Sequence, residues 1–171
     1  MNDDIILLAQ RLGNLLREAG LTATTVESCT GGGIAYAVTA VPGSSEWFRQ
    51  AFVTYANESK IALAGVRAET LARYGAVSGR TVEEMALGGL EAASADLALA
   101  VSGIAGPDGG SADKPVGTVW IGLAFRNGRD IGVETFLEHF GGDRAQVRLA
   151  TIRAALELGI GKLEQLTKHD K

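Results

Sequence analysis

Two short segments and one lysine carry the residue types that acyl chemistry needs. Glu27-Ser28-Cys29-Thr30-Gly31-Gly32 places a serine where a β-branched stretch gives way to a glycine-rich turn. A serine at a strand-to-helix turn stands at the end of a sheet, beside helix N–H groups that have no partner within the helix. Such groups suit the oxyanion of an acyl-transfer intermediate, with Ser28 Oγ as the attacking atom. The plainer reading of the same hexapeptide is a helix cap at Ser28 or Thr30, with the glycines permitting the turn.

A nucleophilic serine requires a base, and histidine is the usual one. The chain has two histidines, His139 and His169. His169 falls in the polar tail and His139 follows an expected strand, so a Ser-His-Asp triad has little support. Lysine is the alternative, because a desolvated amine loses its charge more readily and can accept a serine proton. In Tyr55-Ala56-Asn57-Glu58-Ser59-Lys60, Lys60 comes one turn beyond Asn57 at the start of an expected helix, whose positive end also disfavours an ammonium. The plainer alternative is a solvated surface lysine.

Ser102-Gly103-Ile104-Ala105-Gly106-Pro107 follows a run of buried-strand type, the crevice position where open α/β sheets bind ligands. Its backbone N–H groups form either a nest for phosphate or an ordinary flexible loop. The spacing matches neither a P-loop nor a dinucleotide fingerprint. Arg144, and alternatively Arg148, stands near the start of the last helix, in reach of a ligand phosphate or simply of solvent. Trp47, Tyr55 and Tyr74 suit stacking on an aromatic ring, and equally suit a core. No metal pattern is present, and no cofactor is expected.

These groups need a scaffold, and the patterning supplies an alternating one. Asp4 to Ala19 has apolar residues at helical spacing and ends at Gly20. Thr22 to Glu27 reads as a strand, and Ile34 to Val38 as a helix after the turn. Ser44 or Ser45 is expected to cap a short segment holding Trp47 and Phe48, and Ala51 to Tyr55 to be a strand. Asn57 is expected to cap a helix through Lys60 and Leu63. Ala68 to Tyr74 and a Ser78-capped segment through Leu90 read as helices, and Leu97 to Val101 as a buried strand. Val116 to Phe125 and Ile131 to Glu138 are expected to pair across Asn127-Gly128, a strong hairpin signal. Asp143 opens the final helix. The expectation is one α/β domain with a mixed sheet over residues 1–165, and a polar, frayed tail over 166–171.

Composition narrows the function classes. A length of 171 residues suits a single core, and 46% hydrophobic residues are enough to fill it. A net charge of −4, with basic residues scattered, argues against a nucleic-acid partner. No run approaches the roughly 20 apolar residues of a membrane helix. The lone Cys29 leaves no internal disulfide and suits a reducing, cytoplasmic setting. Small residues at Ala86, Gly88, Gly89, Ala92 and Ala93 suit close helix packing, in the core or between subunits.

Taken in order, the segments resemble the CinA C-terminal domain family. The matching stretches are Glu27 to Gly32, Val41-Pro42-Gly43-Ser44-Ser45, Tyr55 with Asn57 and Lys60, Gly75-Ala76-Val77-Ser78, Gly103 to Pro107, Lys114 to Val119, and Phe140-Gly141-Gly142-Asp143-Arg144. The resemblance implies a three-layer α/β/α fold, a homodimer, and hydrolysis of the carboxamide of nicotinamide mononucleotide. It makes Ser28 the nucleophile, Lys60 the base and Ser102 the third hydroxyl. Ser102 stands where the family usually has threonine, which keeps the donor and acceptor but frees the rotamer. Gly79 stands where an acidic residue is expected. Thr30, Gly31, Gly32, Tyr55, Asn57, Gly103, Ala105, Gly106 and Arg144 are the expected substrate contacts, with the loop Gly103 to Gly110 and Arg144 on the phosphate. Two rival readings are a non-catalytic interaction domain and an amidase acting on another nucleotide-like amide.

Overall fold

A computed structural model describes residues 1–168. Five strands form one mixed sheet: β1 (Ala23–Glu27), β2 (Phe48–Val53), β3 (Leu97–Gly103), β4 (Thr118–Asn127) and β5 (Asp130–His139). Their order across the sheet is β2-β1-β3-β4-β5. β1 runs parallel to both β2 and β3, whereas β3, β4 and β5 are successively antiparallel. The expected Asn127-Gly128 hairpin joins β4 to β5, with Asn127 paired to Asp130.

The helices are α1 (Asp3–Ala19), α2 (Gly33–Thr39), α3 (Asn57–Ala64), α4 (Ala68–Tyr74), α5 (Gly79–Ala92) and α6 (Arg144–Lys168). α1, α2 and α6 pack together over one face of the sheet, and α5, flanked by α3 and α4, covers the other. The alternation along β3 explains the division: Leu97, Leu99 and Val101 enter the core under α1, α2 and α6, while Ala98 and Ala100 face α5. The α5 face is lined by small residues, so that helix sits close. A Cβ on Gly88 would stand only 1.6 Å from the Ala64 carbonyl oxygen, which fixes the contact between α5 and α3. Ala86 and Gly89 are buried on this same inner face, so this part of the small-residue stripe belongs to the core.

Several local expectations are corrected. β2 starts at Phe48 and stops at Val53, leaving Thr54 and Tyr55 outside the strand. It is an edge strand with residues 49–51 exposed, so its sequence lacks the alternation that marks a half-buried strand. Neither Ser44 nor Ser45 caps a helix; both lie in a 3-10 turn, Ser44–Glu46, entered through Gly43. Asn57 is the first residue of α3, and the preceding Ala56 occupies the cap position without a side-chain bond. Ser78 does cap α5, accepting from the Thr81 N–H. Residues 166–168, expected in a frayed tail, continue α6, where the Thr167 hydroxyl donates to the Leu163 carbonyl. His169 lies outside the described residues.

Candidate active site

The connections diverge at the C-terminal ends of β1 and β3. β1 leads through α2 to β2 on one side, and β3 leads through the loop 104–117 to β4 on the other. Such a switch point opens a crevice at the strand ends. Ser28 follows β1 and Ser102 lies near the end of β3, so the topology itself brings the two hydroxyls to that crevice. Lys60 enters from α3.

The Ser28 turn is held by a carboxylate. Glu27 is fully buried, and its oxygens accept from the Ile34 N–H at 2.9 Å, the Ala35 N–H at 2.8 Å, and the hydroxyls of Thr25 and Thr30. Glu27 therefore satisfies the first turn of α2 and complements its positive end. Gly31 and Gly32 have φ of 59° and 93°, which residues with a side chain seldom adopt. The Gly31 N–H donates to the Ser28 carbonyl, and the Thr30 carbonyl accepts from Arg148 Nη2. The N–H groups of Thr30 and Gly32 have no acceptor among the described residues.

Lys60 is 1% exposed, and its Nζ lies 3.1 Å from Ser28 Oγ, 2.8 Å from the Thr54 carbonyl and 3.2 Å from the Tyr55 carbonyl. Among the described residues no carboxylate pairs with it, and burial pushes its amine below the ordinary lysine value. The surface-lysine alternative is thereby excluded. In the neutral form, two N–H bonds meet the two carbonyls and the lone pair faces the Ser28 hydroxyl. This amine is able to take the serine proton. The end of β2 at Val53 turns the carbonyls of Thr54 and Tyr55 toward it, a backbone role with no side-chain signature in the sequence.

A cavity of about 190 Å³ joins these groups, lined by Ser28, Cys29, Tyr55, Asn57, Lys60, Ala76, Val77, Ser102, Gly103, Ala105 and Arg144. Thr30, Gly31, Gly32 and Gly106 are not in its wall. Arg144 donates to the Gly106 carbonyl at 2.8 Å and to the Tyr55 hydroxyl at 3.0 Å, so it ties the β3–β4 loop to the rim. Cys29, Ala76 and Val77 were not singled out from the sequence as site residues. The last two lie in the Gly75-to-Ser78 motif, which was a usable signal. Burial raises the Cys29 thiol to about 11, so beside Ser28 it stays protonated at neutral pH. His139 is on β5, three strands from β1 and hence about 14 Å across the sheet, too far to serve Ser28. Trp47 is in the core against Phe48, and Tyr74 lies outside this cavity. Among the described residues, no group of three His, Cys, Asp or Glu side chains is arranged to hold a metal.

Fold and site together define an α/β protein with a serine–lysine pair at the switch point of a mixed sheet. Residues 6–163 match the CinA C-terminal domain model, and the chain belongs to that family. It is 51% identical to the nicotinamide-nucleotide amidohydrolase PncC of Escherichia coli K12, over 91% of this chain and 93% of that one. Identity to the protein of the same name from Pseudomonas putida is also 51%, over 91% and 94%. A CinA-like protein of Endomicrobium trichonymphae is 48% identical over 95% of this chain but 36% of its own length. The crystal structure of the competence/damage inducible protein CihA from Agrobacterium tumefaciens superposes with a TM-score of 0.91 at 45% identity, covering 96% of this chain and 98% of that one.

Proposed function

We propose that this protein is a nicotinamide-nucleotide amidohydrolase that converts nicotinamide mononucleotide to nicotinic acid mononucleotide and ammonia. The observation that carries the reading is the buried Lys60 amine, 3.1 Å from Ser28 Oγ with its other hydrogens directed at two carbonyls. The relatives named as amidohydrolases of nicotinamide nucleotides, at 51% identity over nine-tenths of the chain, support the substrate class.

Neutral Lys60 takes the Ser28 proton as Oγ bonds to the carboxamide carbon. The resulting oxyanion is met by the backbone N–H of Cys29, the turn residue that lines the cavity beside Ser28. The C–N bond breaks, and Lys60 returns the proton to the departing nitrogen, which leaves as ammonia. Water then gives a proton to Lys60 and attacks the acyl carbon. The C–Oγ bond breaks, and the proton passes back to Ser28. Ser102 orients the leaving nitrogen from the β3 side, while Tyr55, Asn57 and Arg144 hold the ring and ribose at the rim. Gly103 and Ala105 give the opposite wall its shape, and Gly106 acts behind it by holding Arg144 through its carbonyl. The positive pyridinium draws electron density from the carboxamide and favours attack. We place the enzyme in the cytoplasm as a homodimer.

The test follows ammonia and nicotinic acid mononucleotide together, for wild type, Ser28→Ala and Lys60→Ala. One-for-one products from wild type, with each substitution lowering kcat by about a thousandfold or more, support the mechanism. Full activity in Ser28→Ala removes it, and a folded but inert wild type removes the substrate.

A further inference from the structure

Arg148 is half-buried and has no carboxylate partner among the described residues. It is not in the wall of the catalytic cavity, and its Nη2 donates to the Thr30 carbonyl at 3.0 Å. Arg144 and Ile152, four residues before and after it, share its face of α6. Arg144 reaches Gly106 and Tyr55, while Ile152 meets the start of α2, where a Cβ on Gly33 would stand 2.5 Å from Ile152 Cδ1. α6 is thus seated directly on the nucleophile turn, and Arg148 brings a positive charge to that contact.

The hydrogen bonds beyond Thr30 form a series. The Thr30 carbonyl and the Gly31 N–H belong to one peptide group, and that N–H donates to the Ser28 carbonyl at 3.0 Å. The Ser28 carbonyl and the Cys29 N–H belong to the next. Starting from Arg148, the order is guanidinium, Thr30–Gly31 peptide, Ser28–Cys29 peptide, and the last N–H is the one that meets the oxyanion. The N–H of Ser28 itself is taken, because it donates to the Val101 carbonyl at 3.0 Å. Each bond in such a series polarises the next, and a charged donor at its head is stronger than a neutral one. The Thr30 carbonyl has a neutral donor as well, the Gly33 N–H at 3.1 Å. Glu27 supplies the opposing charge: its buried carboxylate bonds the same turn and disfavours a second negative charge nearby. Both charges are felt at Cys29, where burial raises the thiol to about 11, Glu27 adds to the rise and Arg148 acts against it.

We infer that Arg148 is a positioning residue of the reaction: through the Thr30–Gly31 and Ser28–Cys29 peptide groups it strengthens the Cys29 N–H as oxyanion donor, and it offsets the Glu27 charge as the oxyanion forms. The inference rests on the amidohydrolase reading for the identity of the amide. The charge that Arg148 acts on exists only in the tetrahedral state, so its effect falls on kcat and not on KM.

Two variants separate charge from mere packing: Arg148→Gln keeps a neutral N–H donor, and Arg148→Lys keeps the positive charge. With nicotinamide mononucleotide, kcat in Arg148→Gln falls about tenfold while KM stays within about twofold of wild type. That loss is smaller than the hundredfold or more expected for removing an oxyanion donor itself. In Arg148→Lys, kcat stays within about threefold of wild type. Equal kcat losses in the two variants, an unchanged kcat in Arg148→Gln, or a rise in KM alone overturns the inference. A second measurement needs no turnover. Pyridine-3-boronic acid carries the ring with boron in place of the carboxamide carbon. Ser28 Oγ bonds to boron, no bond to boron breaks, and the Ser28 proton passes to Lys60, which leaves a tetrahedral anion. Its dissociation constant, measured by calorimetry, is about tenfold weaker in Arg148→Gln than in wild type or Arg148→Lys. That result upholds the role of Arg148 even where the mononucleotide is not cleaved. Equal boronate affinity in all three proteins overturns it and leaves the amidohydrolase reading intact.

Discussion

Lys60 illustrates how one side chain changes character with its surroundings. In water its ammonium would be an inert surface charge. Enclosed, without a carboxylate, its neutral form is favoured and its pKa falls. Burial, the cause expected of a desolvated lysine, is what lowers it. The sign for catalysis follows: the proposed base works unprotonated, so kcat/KM rises with pH and levels off once Lys60 is neutral. The midpoint lies below the value of about 10.4 for a free lysine. A pH–rate profile measured on the wild type checks this, and a limb centred at the free-lysine value would contradict it. The thiol of Cys29 moves the opposite way, to about 11, because burial penalises whichever form is charged. Two adjacent residues of nucleophilic type are thus distinguished by one physical effect: Ser28 has the buried Lys60 amine beside it as its proposed base, and Cys29 is held as a neutral thiol.

At the scale of the element, α2 depends on Glu27. A seven-residue helix is too short to persist on its own, and here a buried carboxylate with four donors organises its first turn. Glu27→Gln removes the charge and turns one acceptor into a donor that faces other donors. It should lower stability by about 2–3 kcal/mol, which corresponds to a fall in Tm of roughly 5–10 °C for a chain of this size. Thermal unfolding followed by circular dichroism measures it, and an unchanged Tm would show that the turn is set by the glycines alone. Glu27 was quoted in the sequence as part of a motif, but its role was invisible there. The four donors come from strand, turn and helix, and only folding brings them to one side chain. The hairpin at Asn127-Gly128, the helix over Ala68–Tyr74 and the Ser78 cap were legible, because each depends on neighbours within a few residues. β2 was misplaced because an edge strand lacks the alternation that burial on one face imposes.

For the molecule as a whole, two helical layers bury the sheet, and the small-residue face allows α5 to settle close. Ala86, Gly88 and Gly89 are used in that internal contact, so the proposed homodimer is expected to use another surface. Leu7 on α1 and Tyr36 on α2 are both well exposed, on helices that touch each other. Light scattering at micromolar concentration should give twice the mass of one chain, and the mass of a single chain would remove the homodimer from the proposal. No described helix is long and apolar enough to cross a membrane.

The sequence by itself determined the fold class, the order of most elements, and the identity of the serine and the lysine as candidates. Periodicity, capping residues and turn residues act over a few positions and can be read along the chain. Only the tertiary structure decided that Lys60 is enclosed and that its amine meets Ser28 across 32 positions of sequence. It alone also placed the carbonyls of Thr54 and Tyr55 on that amine, and the Arg148 guanidinium on the Thr30 carbonyl. Desolvation and convergence depend on what surrounds a group in space, and the chain folds through a switch point between β1 and β3 to create both.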